Sequence, residues 1–372
     1  MQAARTRKSA TSTESEQHVS RQTAVVIAAI IGLLAGLGTL AGVVLALRDE
    51  NPDSPAATEA ATDIGDTGTG EVVITEPPQQ EALETIEVGG FPNAVDVGAG
   101  GVWVVRDGRR LIRIDPATRE IAARIGAGDE LGSERPCGVS AGAGAVWVTT
   151  LSGNVARINP TTNRVSTLIE AEETACIAAG NAGVWATRPD AGEVVRIDPS
   201  TNEIAAEIPL EGFPQGIAIG FGSVWVAFSD PPDGANGGVA RIDPRSNEIV
   251  RTILVPNLPE YVATGARGVW VTSNNGTISE VDPGTNQLVE TIRITDGGRT
   301  VVAVGGGSVW AAEITGPGEE ASVVRIDPQT GEVVGEPIAV GRNPLGLAFG
   351  AGALWVANYD DGTITRAQPA AG

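Results

Sequence analysis

Seven tryptophans punctuate the chain, and every one sits in the same four-residue frame. The frame first reads Gly101-Val102-Trp103-Val104. It returns around Trp147, Trp185, Trp225, Trp270, Trp310 and Trp355 at spacings of 44, 38, 40, 45, 40 and 45 residues. A period near 40 made of short apolar runs and turns is that of a propeller blade, a four-stranded antiparallel sheet repeated around an axis. The 49 glycines suit a chain of many short strands and turns.

The first unit shows how one period becomes one blade. Asn93 to Val97 is a short apolar run, turned back by Gly98-Ala99-Gly100-Gly101. Val102 to Arg106 carries the tryptophan, and Asp107-Gly108 is a tight hairpin signal. Leu111 to Ile114 is a third strand, Asp115-Pro116 turns it, and Glu120 to Ile125 is a fourth. The runs are apolar on both faces because each blade is packed between two neighbours.

The signature Arg113-Ile114-Asp115-Pro116 recurs in every unit, with Asn159 in the second, Glu280 replacing the arginine in the fifth, and Arg366-Ala367-Gln368-Pro369 as a decayed seventh copy. Asp or Asn followed by Pro is what a type I turn favours, since the side chain bonds backbone N–H groups and Pro presets φ. The repeated aspartates therefore read as turn starters rather than as a ring of catalytic acids. The seventh unit stops after its third strand, and Leu83-Glu84-Thr85-Ile86-Glu87-Val88 matches the fourth strands Leu288 to Ile292 and Ile249 to Ile253. The amino-terminal strand is thus expected to complete the last blade and remove two open sheet edges.

Ahead of the repeats, residues 1–22 are polar with a net charge of +2, and residues 23–47 carry no charge at all. As a helix, these 25 residues would be roughly 37 Å long, enough for a hydrocarbon core of about 30 Å. With the basic side first, the positive-inside rule puts the amino end in the cytoplasm and residues 49–372 outside. A cleaved signal peptide is the competing reading, but its apolar region is usually about 7–15 residues long. Gly32, Gly36, Gly38 and Gly42 are spaced for close approach of two such helices, which implies a homodimer; glycine is also simply common in membrane helices. Residues 48–81 hold nine carboxylates and one arginine and no apolar periodicity, the composition of a disordered acidic tether. The expected organisation is therefore all-β: a seven-bladed β-propeller over 82–372 closed by an N-terminal strand, preceded by a cytoplasmic basic tail (1–22), one transmembrane helix (23–47) and a disordered linker (48–81).

Two of the four connections in each unit keep their length, and they fall at one end of the blade. The others vary, swelling in 126–136, 229–238 and 314–321, and varying loops on a fixed scaffold usually carry recognition. The position opening each innermost strand rings that mouth: Asn93, Cys137, Ala175, Gln215, Glu260, Thr300 and Leu345. Arg106, Arg188, Asp190, Arg299, Glu313, Arg342 and Asp360 are expected nearby, each of which, taken alone, reads as a solvated rim charge. Cys137 and Cys176 occupy nearly the same place in adjacent blades, so a disulfide is expected between them outside the cell; two buried free thiols are the alternative.

Several chemistries are excluded. A net charge of −21 disfavours binding to phosphate backbones, so nucleic acid is not an expected partner. The one histidine, His18, precedes the apolar span, which removes His-dependent nucleophiles and His metal ligands from the repeats. Asp230 to Gly234 fails the EF-hand spacing, and Asn275-Gly276-Thr277, a glycosylation triplet, is equally a hairpin turn.

The pattern Phe213-Pro214-Gln215-Gly216-Ile217-Ala218, followed by the tryptophan frame and Arg-Ile-Asp-Pro, resembles streptogramin B lyase (virginiamycin B lyase) and its paralogues. Val356-Ala357-Asn358 and Gly362-Thr363-Ile364-Thr365 are also similar to YVTN-type surface propellers. The resemblance spans 83–369 and implies the propeller fold. It also implies an enzyme that opens a cyclic depsipeptide by elimination, with histidine, glutamate and a divalent metal, usually magnesium. No histidine here matches, so no catalytic or metal-binding residue is carried over and no cofactor is expected outside that reading. Three functions follow from the sequence: a membrane-anchored extracytoplasmic module that binds or senses a small molecule or protein, a lactone-cleaving enzyme relying on carboxylates and a metal, or an envelope scaffold.

Overall fold

The computed structural model describes residues 82–107, 110–126, 138–229 and 237–369. Among them the chain forms seven four-stranded antiparallel sheets and no helix. The apolar span 23–47, the linker 48–81, and most of the expected long connections 126–136 and 229–238 lie outside the described residues.

Six blades run in chain order from an inner strand to an outer one. The seventh is built differently: Ala82–Glu87 lies beside Thr363–Gln368, with Glu84 opposite Arg366 and Ile86 opposite Ile364. The expected closure is therefore present, and the described first strand is the outermost strand of the last blade. The inner strands are Pro92–Gly98, Val139–Gly142, Ile177–Gly180, Phe213–Gly220, Pro259–Gly265, Thr300–Gly305 and Pro344–Gly350. Each touches the next, and the seventh touches the first.

The core is divided among the interfaces between blades. Each tryptophan is fully or almost fully buried and packs into the neighbouring blade. Trp103 meets Val139, Val146 and Val148 of blade 2, and Trp355 meets Val95, Val102 and Val104 of blade 1. Inner strands approach closely enough to exclude side chains at some positions. A Cβ on Gly216 would lie 2.7 Å from both Glu260 O and Tyr261 Cα of the next blade.

The Arg-Ile-Asp-Pro signature has a second use beyond its turn. Asp115 Oδ1 accepts the Ala117 and Thr118 N–H groups as the turn requires. The arginine two residues earlier lies over the tryptophan of its own blade and donates into the equivalent turn of the next. Arg241 sits 5.0 Å from the Trp225 ring centroid, and its Nη1 reaches Pro283 O at 2.8 Å and Asn286 Oδ1 at 2.7 Å. Arg113, Arg157 and Arg196 make the same pair of bonds to Pro160 and Asn163, Pro199 and Asn202, and Pro244 and Asn247. Those asparagines hold φ between 55° and 62°, a left-handed conformation that Asn tolerates, which aims the side chain at the arriving arginine. Blades 1 to 5 are joined this way in sequence.

The link stops between blades 5 and 6. Glu280 replaces the arginine, and Gly331 replaces the asparagine of the next turn. Trp270 Nε1 has no acceptor there, whereas the other six indole N–H groups donate to carbonyls such as Gly98 O and Gly350 O. Desolvation first, and then the nearby Glu290, push the Glu280 carboxyl above its ordinary range. Between blades 7 and 1 a different device takes over: Glu84 of the closing strand pairs with Arg119 at 3.1 Å and lies 3.8 Å from Arg366.

Removing the Arg241 side chain should cost ~2–4 kcal/mol, combining a charged hydrogen-bond pair with a cation–π contact. Glu280→Ala should be neutral or stabilising. Denaturant midpoints of the two variants against the parent check both; equal losses would show that the arginine acts only as general surface charge.

Candidate functional site

The two ends of the blades are used differently. At one end the short tryptophan-strand and Asp-Pro turns repeat, and their polar side chains are spent on the links between blades. At the other end the connections differ from blade to blade, and so do the groups they carry.

The innermost group on the varied face is shared by blades 5 and 6. Arg299 Nε donates to both carboxylate oxygens of Glu260, at 3.0 and 2.7 Å, and its Nη2 reaches the Tyr261 hydroxyl at 2.7 Å. Burial alone would lower the Arg299 pKa, but Tyr261 and the bond to Glu260 outweigh it and hold the guanidinium charged. Because Arg299 is half exposed, the pair is worth little as stability; what it does is fix one positive and one negative group beside an aromatic ring.

Blade 7 presents a second group. The Arg342 backbone N–H and Nε bind Asp361 at 2.7 and 2.6 Å. Burial raises the Asp361 carboxyl, but the two bonds and the charge of Arg342 bring it below the usual range. Asp360 accepts the Gly318 N–H at 2.9 Å and Asn343 Nδ2 at 3.4 Å, tying the 314–321 connection to blade 7. In blade 6 the Glu313 carboxyl is raised by burial and then by Glu319 and Asp296. Phe91 and Tyr359 stack at 5.2 Å where blade 1 begins, and the Phe91 ring stays half exposed.

The expected rim residues are thus not one constellation. Glu260 and Arg299 meet, and Arg342 and Asp360 share blade 7. Arg188 turns toward its blade's outer strands, bonding Glu207 at 2.8 Å and Glu193 at 3.3 Å, with Nε on Ala171 O. Arg106 donates to Val88 O, beneath the link from the closing strand. Asn93, Ala175 and Thr300 are buried, and the Gln215 carbonyl accepts the Thr187 hydroxyl. Cys176 is buried and disulfide-bonded, while Cys137 lies outside the described residues. No group of three or more potential metal-ligating side chains occurs among the described residues.

Below the mouth lies a cavity of about 380 Å³ along the axis. Its wall includes Val95, Val139, Ile177, Ile217, Val262, Val302 and Leu347, one aliphatic side chain from each blade at the same register. One step along, opposite the tryptophans, stand Asp96, Ser140, Ala178, Ala218, Ala263, Ala303 and Ala348. Asp96 accepts the Val97 N–H at 2.8 Å and, across the blade boundary, the Ala141 N–H at 2.7 Å. Burial dominates these bonds and the Ser140 hydroxyl, and raises its carboxyl above 3.8. Sequence reasoning centred on the mouth and passed over Asp96. Aligning the seven inner strands on their tryptophans would have found it, as the one charge at that register.

No family model matches the chain, and no curated protein matches it. Among solved structures, a chain of hydrazine synthase from Kuenenia stuttgartiensis is similar in fold, with a TM-score of 0.64 at 11% identity. The match covers 82% of this chain and 99% of that one. The propeller architecture is shared; at this identity the likeness is one of fold alone.

A raised carboxyl means that the folded chain binds more protons than the unfolded one above pH 3.8. The stability that Asp96 confers relative to Asp96→Asn is therefore greatest below that pH and is lost as pH rises through the folded pKa. Urea midpoints of parent and variant across the acid range check this; a pH-independent difference would refute it.

Proposed function

We propose that this propeller is a membrane-anchored, extracytoplasmic binding or sensing module that recognises a small molecule or protein through its varied face, without catalysis. The supporting observation is the unequal use of the two ends. One end spends its arginines and asparagines on holding blades together, while the other presents a different set of charged and aromatic groups on each blade. The Glu260–Tyr261–Arg299 group and the Phe91–Tyr359 pair are the elements best suited to contact. The uncharged span 23–47 and acidic tether 48–81 support anchoring, and the disulfide at Cys176 supports an oxidising compartment. The resemblance to streptogramin B lyase-like and YVTN-type propellers enters this reading as one of architecture alone, since His18 precedes the span and the lyase histidine has no counterpart in the repeats.

Protease added to intact cells should cut the tether and release the propeller; cleavage only after lysis would refute the topology. The denatured, unreduced chain should show no free thiol, and two titratable thiols would remove the Cys137–Cys176 pairing. A photo-crosslinker at position 299 should capture ligand or partner where one at Thr201, on the repeated face, does not. Equal capture at both, or magnesium-dependent loss of a streptogramin B substrate, would overturn the binding reading.

A further inference from the structure

The repeats supply an internal control on Asp96. Seven copies of one strand share one register, and five carry alanine opposite the tryptophan, two of them (Ala178 and Ala218) in the wall of the same cavity, so the fold does not require a polar group there. A carboxylate in such a place costs desolvation free energy that alanine avoids. Among the described residues Asp96 is also the only charged side chain in the cavity wall. The other described side chains of the wall are aliphatic apart from the Ser140 and Thr264 hydroxyls and the Tyr261 phenol, and the surface that the wall exposes is more polar than apolar.

We infer that the channel binds an organic monocation, a primary ammonium on a compact apolar body, with its nitrogen at Asp96 and its body against the part-exposed aliphatic side chains of the wall, Val97, Ile219, Val262, Val302 and Leu347. The carboxylate can accept about four hydrogen bonds, and the Val97 and Ala141 N–H groups and the Ser140 hydroxyl use three. The remaining acceptor matches one ammonium N–H in a charge-assisted hydrogen bond. A metal ion is a poor fit, because calcium and magnesium need about six oxygen ligands and the wall offers one carboxylate. The cavity volume of about 380 Å³ falls within the range of small-molecule sites. Access need not pass the Glu260–Arg299 mouth, because Ala141, Ala179 and Ile219 also line a groove on the repeated face. Tyr261 touches both places, but the inference turns on Asp96, which takes no part in the Glu260–Arg299 group, so its failure would leave the proposed recognition surface standing.

The test is calorimetric titration of the full chain with n-butylammonium and with 1-butanol, its neutral counterpart, at neutral pH. The amine should bind about tenfold or more tightly than the alcohol, the difference a charge-assisted hydrogen bond supplies. Asp96→Ala restores the residue of the five sister blades, and should bring the amine down to the alcohol's affinity while leaving the melting temperature close to the parent's. If Asp96→Ala misfolds, Asp96→Asn decides in its place. Equal affinity for amine and alcohol, an unchanged preference in the folded variant, or no binding heat from either ligand would each overturn the inference.

Discussion

Each blade of this protein is apolar on both faces, and that constraint governs the rest. A row of seven such sheets would leave an unburied face and an open edge at either end. The ring buries every face against a neighbour, and the seven hydrophobic clusters each fall between two blades rather than at one centre. Closure depends on Ala82–Glu87 crossing to the last blade, where its ladder to Thr363–Gln368 ties the described amino-terminal strand to the last strand. The same strand brings Glu84 to Arg119 and Arg366, so the seam is held by charge as well as by backbone bonds.

The ring is not uniform around its circumference. Four consecutive boundaries carry the arginine that stacks on one blade's tryptophan and bonds the next blade's turn. The boundary between blades 5 and 6 lacks donor and acceptor together and leaves the Trp270 N–H without a partner. It also has the smallest buried cluster, centred on Trp270, Ile278, Val309, Ala311 and Ile326. The paired change makes physical sense: an unanswered arginine would lose both bonds, and an asparagine held at positive φ without its donor keeps the backbone strain with no compensation. The Glu260–Arg299 contact spans these same two blades at the opposite end and connects them where the turn link does not.

Much of the architecture was readable in the chain. The tryptophan period, the Asp-Pro turns and the stray fourth strand at Leu83 gave blade number and mode of closure, because each rests on local patterning that every copy repeats. The candidate site was less readable. Glu260 and Arg299 were both expected at the mouth, but their pairing across 39 residues depends on how two inner strands are staggered. Arg188 was expected at the same mouth and turns outward, because the Glu193 and Glu207 carboxylates lie nearer. Phe91 and Tyr359 belong to opposite ends of the repeat array, and only closure stacks them.

What the amino-acid order determined by itself was the blade: strand lengths, turn types and an apolar run with a tryptophan at its heart, all set by interactions within about forty residues. What only the assembled ring decided was which side chains meet across blades. The arginines found their asparagines, Glu84 found Arg119, and seven aliphatic residues with one aspartate came to surround a single cavity. Such meetings depend on the angle and stagger between sheets, which arise from packing many copies at once and leave no mark in any one of them.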